Sequence, residues 1–137
     1  MTIVIDVGNT NAVIGKIKNK EISDQFRIKT NFLKNSLNEI SIESKNQILN
    51  FIDKDNQNIL LSGVVPQAML NIKLLIEETF ENHKVTLVTT DHLLRLIKVK
   101  LKNPYEVGDD RIINAIASLK KYDSPLIIID FGTATTF

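Results

Sequence analysis

The period of apolar and polar positions changes several times along the chain, and each change marks an element. Residues 2–6 are a short apolar run, too short for a helix and rich in β-branched side chains, which predicts a buried strand. Residues 12–18 (Ala-Val-Ile-Gly-Lys-Ile-Lys) predict a second strand, joined to the first through Gly8-Asn9-Thr10-Asn11. Asn19-Lys20 is a turn, and Ile22, Asp24, Phe26 and Ile28 continue with a period of two, so the first three strands form a meander. Ser36 followed by Glu39 reads as a capping box, opening a helix with Leu37, Ile40, Ile48, Leu49 and Ile52 on one face. In that stripe Ser41 and Ser44 are out of place. Residues 53–58 are polar loop, residues 59–65 a fourth strand ended by Pro66, and residues 84–88 a fifth. Between those strands Ala68, Ile72, Leu75, Ile76 and Phe80 have helical spacing, and Ile112, Ala115, Ile116 and Leu119 mark a further helix.

The order βββαβαβ, with a helix after it, predicts an α/β fold. It is a mixed sheet with helices on its faces, arranged as in ribonuclease H. The pattern also repeats. Ile3-Val4-Ile5-Asp6-Val7-Gly8-Asn9-Thr10 returns, nearly, as Ile127-Ile128-Ile129-Asp130-Phe131-Gly132-Thr133-Ala134, 124 residues later. Each copy is an apolar run ending in an aspartate, an apolar residue, a glycine and a small polar residue. The carboxylate can hold a metal or water, glycine admits a close backbone approach to an anion, and Asn or Thr adds a hydrogen bond. One such hairpin is an ordinary strand end. Two in matched contexts read as a phosphate clamp. We therefore expect a first lobe over residues 1–122, with residues 123–137 as the first strand and hairpin of a second similar lobe that is cut short. An apolar final strand left uncovered would be an aggregation liability, and on that ground the chain is expected to be the front part of a longer protein.

Composition narrows the function rather than naming it. The 137 residues are 43% hydrophobic and 24% charged, as in a folded globular domain. A net charge of +1 gives no electrostatic case for nucleic acid or a membrane surface. The absence of cysteine removes disulfides, thiolate catalysis and Cys-based zinc sites. No apolar run approaches the roughly 20 residues needed to span a bilayer, and no signal peptide opens the chain, so a cytoplasmic location is expected. No G-x-x-x-x-G-K-[ST] loop is present, so any phosphate binding must come from the hairpins.

A third segment, Asn103-Pro104-Tyr105-Glu106-Val107-Gly108-Asp109-Asp110-Arg111-Ile112-Ile113-Asn114, leads into the last predicted helix. Carboxylates at a helix start are favourable by roughly 0.3–1 kcal/mol each, so Asp109 and Asp110 have a plain capping reading. Acid beside arginine at such a place also suits a small polar substrate. The arginine can hold a carboxylate in a two-point contact while the acid takes a proton.

Taken together, the motifs resemble the type III pantothenate kinases, members of the acetate kinase, sugar kinase, Hsp70 and actin superfamily. The resemblance rests on D-V-G-N-T at Asp6–Thr10, S-G-V-V-P at Ser62–Pro66, N-P-x-E-V-G-x-D-R at Asn103–Arg111 and D-F-G-T-A-T-T at Asp130–Thr136, in register over the whole chain. It implies transfer of the γ-phosphate of ATP to the primary hydroxyl of pantothenate, the first step of coenzyme A synthesis. Residue by residue, it implies that Asp6, Val7, Gly8, Asn9, Thr10, Asn11, Ala12 and Val13 contact ATP, with Thr133 at a further ATP-binding position. Gly108, Asp109, Asp110 and Arg111 would contact pantothenate, with Asp110 as proton acceptor. Asp130 would bind a monovalent cation, potassium or ammonium. Mg²⁺ must lie between Asp6 and the triphosphate, since the two repel each other. A homodimer of the full-length protein is implied, and no nucleic-acid or membrane partner. Asp109 departs from the pattern, standing where a small residue, commonly alanine, is usual. A carboxylate there, pointing inward, would raise the pKa of Asp110. Catalysis by these 137 residues alone is expected to be incomplete. A non-catalytic nucleotide-binding relative, or an accessory factor in transcription, is the alternative within the family. A sugar or acetate kinase fits the Asn103–Arg111 segment less well.

Other residues receive plain readings. His83 and His92 are expected at the surface or in loops, and Phe26, Phe32, Phe51 and Phe80 in the core. Lys98, Lys100 and Lys102, alternating with Val99 and Leu101, read as a solvated strand face. Ser62 and Gly63 fit either a cleft lining or a tight turn.

Overall fold

A computed structural model describes residues 1–52, 58–131 and 135–136. The expected loop over residues 53–57, the ATP position Thr133 and the rest of residues 132–134 lie outside the described residues. The chain divides into two compact units, Met1–Leu87 and Val88–Phe137.

The first unit is built on a five-stranded mixed sheet in the order β3-β2-β1-β4-β5. Its strands are β1 (Thr2–Val7), β2 (Asn11–Lys18), β3 (Glu21–Lys29), β4 (Asn58–Gly63) and β5 (Lys84–Leu87). The meander is antiparallel, whereas β4 and β5 join in parallel after the helices α1 (Ile42–Phe51) and α2 (Pro66–Thr79). This is the mixed α/β architecture of the actin-like ATPases, as the element order predicts. The two-residue turn at Asn19-Lys20 has both residues at positive φ, which matches the strand twist of a tight hairpin.

Strand alternation decides the core. Ile3, Ile5 and Val7 of β1, Ala12 and Ile14 of β2, and Ile59 and Leu61 of β4 are fully or almost fully buried. Ile48 of α1 and Ala68, Ile72 and Ile76 of α2 belong to the same cluster. At about 25 cal/mol per Å² of apolar area removed from water, this cluster is the main source of the unit's stability.

Three expectations are corrected here. The Ser36–Glu39 capping box is present, but it caps a 3₁₀ turn at Leu37–Glu39. The helix opens only at Ile42, because Ile40 is extended and Ser41 supplies the true cap, its Oγ accepting from the Ser44 amide at 3.2 Å. The serines that spoil the apolar stripe are therefore the helix start. Phe32 is 54% exposed, since the 3₁₀ turn Thr30–Leu33 turns Thr30 and Leu33 inward and Phe32 out. His83 lies in the loop between α2 and β5, one of its two expected settings, but is buried there and packs on Phe80 at 4.7 Å between ring centroids, so it is no surface residue.

The second unit contains α3 (Thr90–Leu94), a 3₁₀ turn at Pro104–Glu106, α4 (Asp109–Lys121) and a two-residue antiparallel pairing of β6 (Asp130–Phe131) with β7 (Thr135–Thr136). Residues 98–102 form no strand, which corrects the alternating-lysine reading, as no neighbouring strand supplies a ladder among the described residues. His92, expected at the surface, is exposed, and its Nδ1 lies 3.1 Å from Thr89 Oγ at the start of α3. For the same lack of a ladder, the run Ile127–Ile129 stays unpaired and the strand begins at Asp130. No helix among the described residues is long and apolar enough to cross a membrane.

Candidate active site

In the first unit the hairpin residues Asp6–Val13 bridge β1 and β2, with Val7 paired to Ala12 and Asp6 to Val13. Val7 and Ala12 are buried and anchor the hairpin in the core, while Asp6, Asn9 and Thr10 are exposed. Gly8, Asn11 and Val13 are half-buried between these extremes. Alternation puts Asp6 on the sheet face opposite Ile5 and Val7. There it lies in register with Val13 on one side and Ser62 on the other, and Val13 pairs with Arg27. Ser62 thus stands beside the hairpin aspartate.

Gly63 explains how β4 comes so close. Its φ is +157°, and a Cβ at this position would lie 2.5 Å from the Val7 carbonyl oxygen. The Val64 amide donates to that same oxygen at 2.9 Å. The glycine serves the tight turn, the second of the two readings open for Ser62 and Gly63.

The loop of the hairpin is fixed from below by Thr30, a residue the sequence reading passed over. Thr30 is fully buried; its hydroxyl donates to the Gly8 carbonyl at 2.7 Å and its amide to the Thr10 carbonyl at 3.0 Å. The Gly8 amide closes the turn onto the Asn11 carbonyl at 3.0 Å. Three loop carbonyls are thereby engaged within the protein.

In the second unit the Asn103–Arg111 segment is ordered by its own side chains. The Asn103 side chain accepts from the Tyr105 amide at 3.2 Å and donates to Glu106 at 2.9 Å, while Pro104 opens the 3₁₀ turn. The Tyr105 hydroxyl donates to Asp91 at 2.8 Å, and this acceptor carboxylate raises the phenol pKa above its usual value. Gly108 is the N-cap of α4, its carbonyl accepting from the amides of Arg111 and Ile112. Its φ of −60° suits any residue; the need for glycine is spatial. A Cβ on Gly108 would collide with Oδ1 of Asp110, whose carboxylate folds back over the glycine.

The two neighbouring acids are used differently. Asp109 accepts a hydrogen bond from Thr90 of α3 at 2.7 Å, whereas Asp110 and Arg111 are exposed. Ile112 is buried and roots the helix start. One turn beyond Asp110 and on the same face, Asn114 donates to Asp130 at 3.2 Å. The helix face that carries Asp110 is thus tied to the aspartate of the second hairpin. The i, i+4 spacing of Asp110 and Asn114 was visible in the sequence; the long-range partners of Thr30, Thr90 and Asp91 were not.

Among the described residues no group of three or more His, Cys, Asp or Glu side chains forms a metal cage. Mg²⁺ does not need one, because it keeps several waters and is commonly held through one or two carboxylates and substrate phosphates. Asp6 is exposed and could act as one such carboxylate.

With this geometry in view, comparison with known families has a definite result. The family model for type III pantothenate kinase matches residues 2–137, a span that includes both hairpins, the Ser62–Pro66 turn and the start of α4. The chain belongs to the type III pantothenate kinase family.

Proposed function

We propose that the full-length protein phosphorylates pantothenate at its primary hydroxyl, giving 4′-phosphopantothenate and ADP, and that it works as a cytoplasmic homodimer. The observation that carries this reading is the Asp110 carboxylate seated over Gly108 beside Arg111 at the start of α4. Family membership supports the reaction class, and an acid followed in sequence by an arginine is a pair suited to a carboxylated substrate.

Asp110 takes the proton of the hydroxyl as its oxygen forms a bond to the γ-phosphorus of ATP, and the bond to the β,γ-bridging oxygen breaks to release ADP. Arg111 holds the substrate carboxylate, and Gly108 leaves the space that Asp110 occupies. The hairpin Asp6–Val13, with Thr133, contacts ATP. Asp6 would hold Mg²⁺ through water and Asp130 a potassium or ammonium ion. Bound there, the cations would neutralise charge on the phosphates. Little covalent assistance is asked of the protein, because phosphoryl transfer depends chiefly on placement and electrostatics.

A coupled ADP-release assay on the full-length protein, with Mg²⁺ and potassium and with or without pantothenate, tests this. Pantothenate-dependent ADP release is expected. ADP release that ignores pantothenate, or ATP binding without turnover, would overturn it.

A further inference from the structure

We propose that Thr90 is a positioning residue that holds the Asp109 carboxylate away from the substrate-binding start of α4, which Asp109 would otherwise occupy as a competing anion. The inference rests on the reading of Gly108, Asp110 and Arg111 as pantothenate contacts and takes Asp109, whose carboxylate is bound by Thr90, out of that set.

Two adjacent carboxylates open α4, at the end of a helix that attracts negative charge through its unpaired amides. Both a carboxylated substrate and a triphosphate would be drawn to the same place. Asp110 is retained there, folded over Gly108. Asp109 is not: its Oδ1 accepts from the Thr90 hydroxyl at 2.7 Å, a contact made across 19 residues of sequence. The next residue, Asp91, accepts from Tyr105 at 2.8 Å. The first turn of α3 therefore grips the chain on both sides of Gly108, through Tyr105 before it and Asp109 after it. Tyr105 and Asp91 fix where the segment runs. Thr90 fixes where its surplus charge points. Without that donor, the Asp109 carboxylate is left in the first turn of α4, whose amides a substrate carboxylate would use.

The test is a set of Thr90 variants of the full-length protein in the ADP-release assay, with melting midpoints measured alongside. Thr90→Val keeps the shape and removes the donor. It is expected to raise KM for pantothenate on the order of tenfold through like-charge competition, with kcat changed far less. Thr90→Ser keeps the hydroxyl and should keep the wild-type KM. Removing the freed charge, in T90V/D109A, should recover most of what T90V loses. A hydrogen bond that served only to fasten α3 to α4 would give the opposite pattern, with the double variant no better than T90V, and that result overturns the inference. An unchanged KM in T90V, or a collapse of its melting midpoint, overturns it as well. Wild-type protein that releases no ADP in response to pantothenate would remove the functional reading and this inference together, so the two failures are told apart by the wild-type control.

Discussion

The two units of the molecule are held together by different physics. In Met1–Leu87 a continuous apolar cluster fixes the sheet and its helices, and the polar hairpin is an appendage to that core. In Val88–Phe137, Leu93 and Ile112 are the only buried apolar side chains among the described residues. Geometry there depends on hydrogen-bonded pairs: Thr90 with Asp109, Asp91 with Tyr105, Asn103 with Glu106, and Asn114 with Asp130. Burial is non-directional and tolerant, while hydrogen bonds are directional and individually modest, about 0.5–1.5 kcal/mol net. The first unit therefore carries the Asp6–Val13 hairpin on a packed core. In the second, geometry is the more easily disturbed by a single polar substitution.

The sharpest test of this contrast, on the proposed function, is Asp110→Asn in the full-length protein. The shape is kept and the proton acceptor removed, so kcat should fall ~10²–10⁴-fold while ATP affinity and melting midpoint stay near wild type. Equal losses in turnover and ATP affinity would place Asp110 among the nucleotide contacts instead. Leu61→Ala should do the reverse. Leu61 is fully buried on the strand β4, and truncation is expected to cost about 2–5 kcal/mol of stability, measured by denaturant unfolding. A loss well under 1 kcal/mol would show that the first unit is not core-held. Gly108→Ala separates space from stability in the second unit. The added Cβ must displace the Asp110 carboxylate, and a shift of about 1 Å at such a group costs on the order of 10²-fold in rate. Wild-type turnover in G108A would mean that Asp110 acts from another position.

Smaller effects probe the hairpin and the core edge. Thr30→Val leaves the Gly8 carbonyl without its buried donor, for an expected cost of about 1–3 kcal/mol and a rise in KM for ATP that exceeds any rise for pantothenate. Thr30→Ser should restore both, and equal changes in the two KM values would confine Thr30 to a structural role. The least expected effect is a pH dependence at Glu77. Its carboxylate takes the Lys73 ammonium and the Val85 amide, and the Lys73 hydrogen bond, foremost, holds its pKa below the usual carboxylate value. A lowered folded-state pKa means that this contribution is present above the unfolded value of ~4.3 and is lost as pH falls through the lower, folded one. Unfolding curves of wild type and Glu77→Gln should therefore converge towards acid and separate above that range. A constant separation at all pH values would remove Glu77 as the titrating group.

How much was legible in the sequence follows the same division. The meander and the order β4–α2–β5 could be read from β-branched runs, one period-two strand and helical spacing, but which members of the runs Ile3–Ile5 and Ile59–Leu61 are buried could not, since Val4 and Leu60 are apolar as well. The hairpin Asp6–Asn11 and the Gly108–Arg111 segment stood out because turns and helix starts demand particular residue types locally. The start of α1 was misplaced by a capping box that closes a 3₁₀ turn, since local capping chemistry does not say how long the following helix runs. His83 and Phe32 exchanged their expected surroundings for a similar reason, as a single residue carries no period.

What the sequence by itself determined, then, is the α/β architecture, the family motifs and the identity of the polar groups at two strand ends and one helix start. Tertiary structure alone decided which of two neighbouring acids, Asp109 or Asp110, is tied down, and which buried threonine fixes the hairpin. Those outcomes depend on Thr90 meeting Asp109 and on Thr30 meeting Gly8, contacts between segments far apart in the chain. Local propensity and periodicity have no term for such meetings. They are set by how the packed elements bring one loop against another.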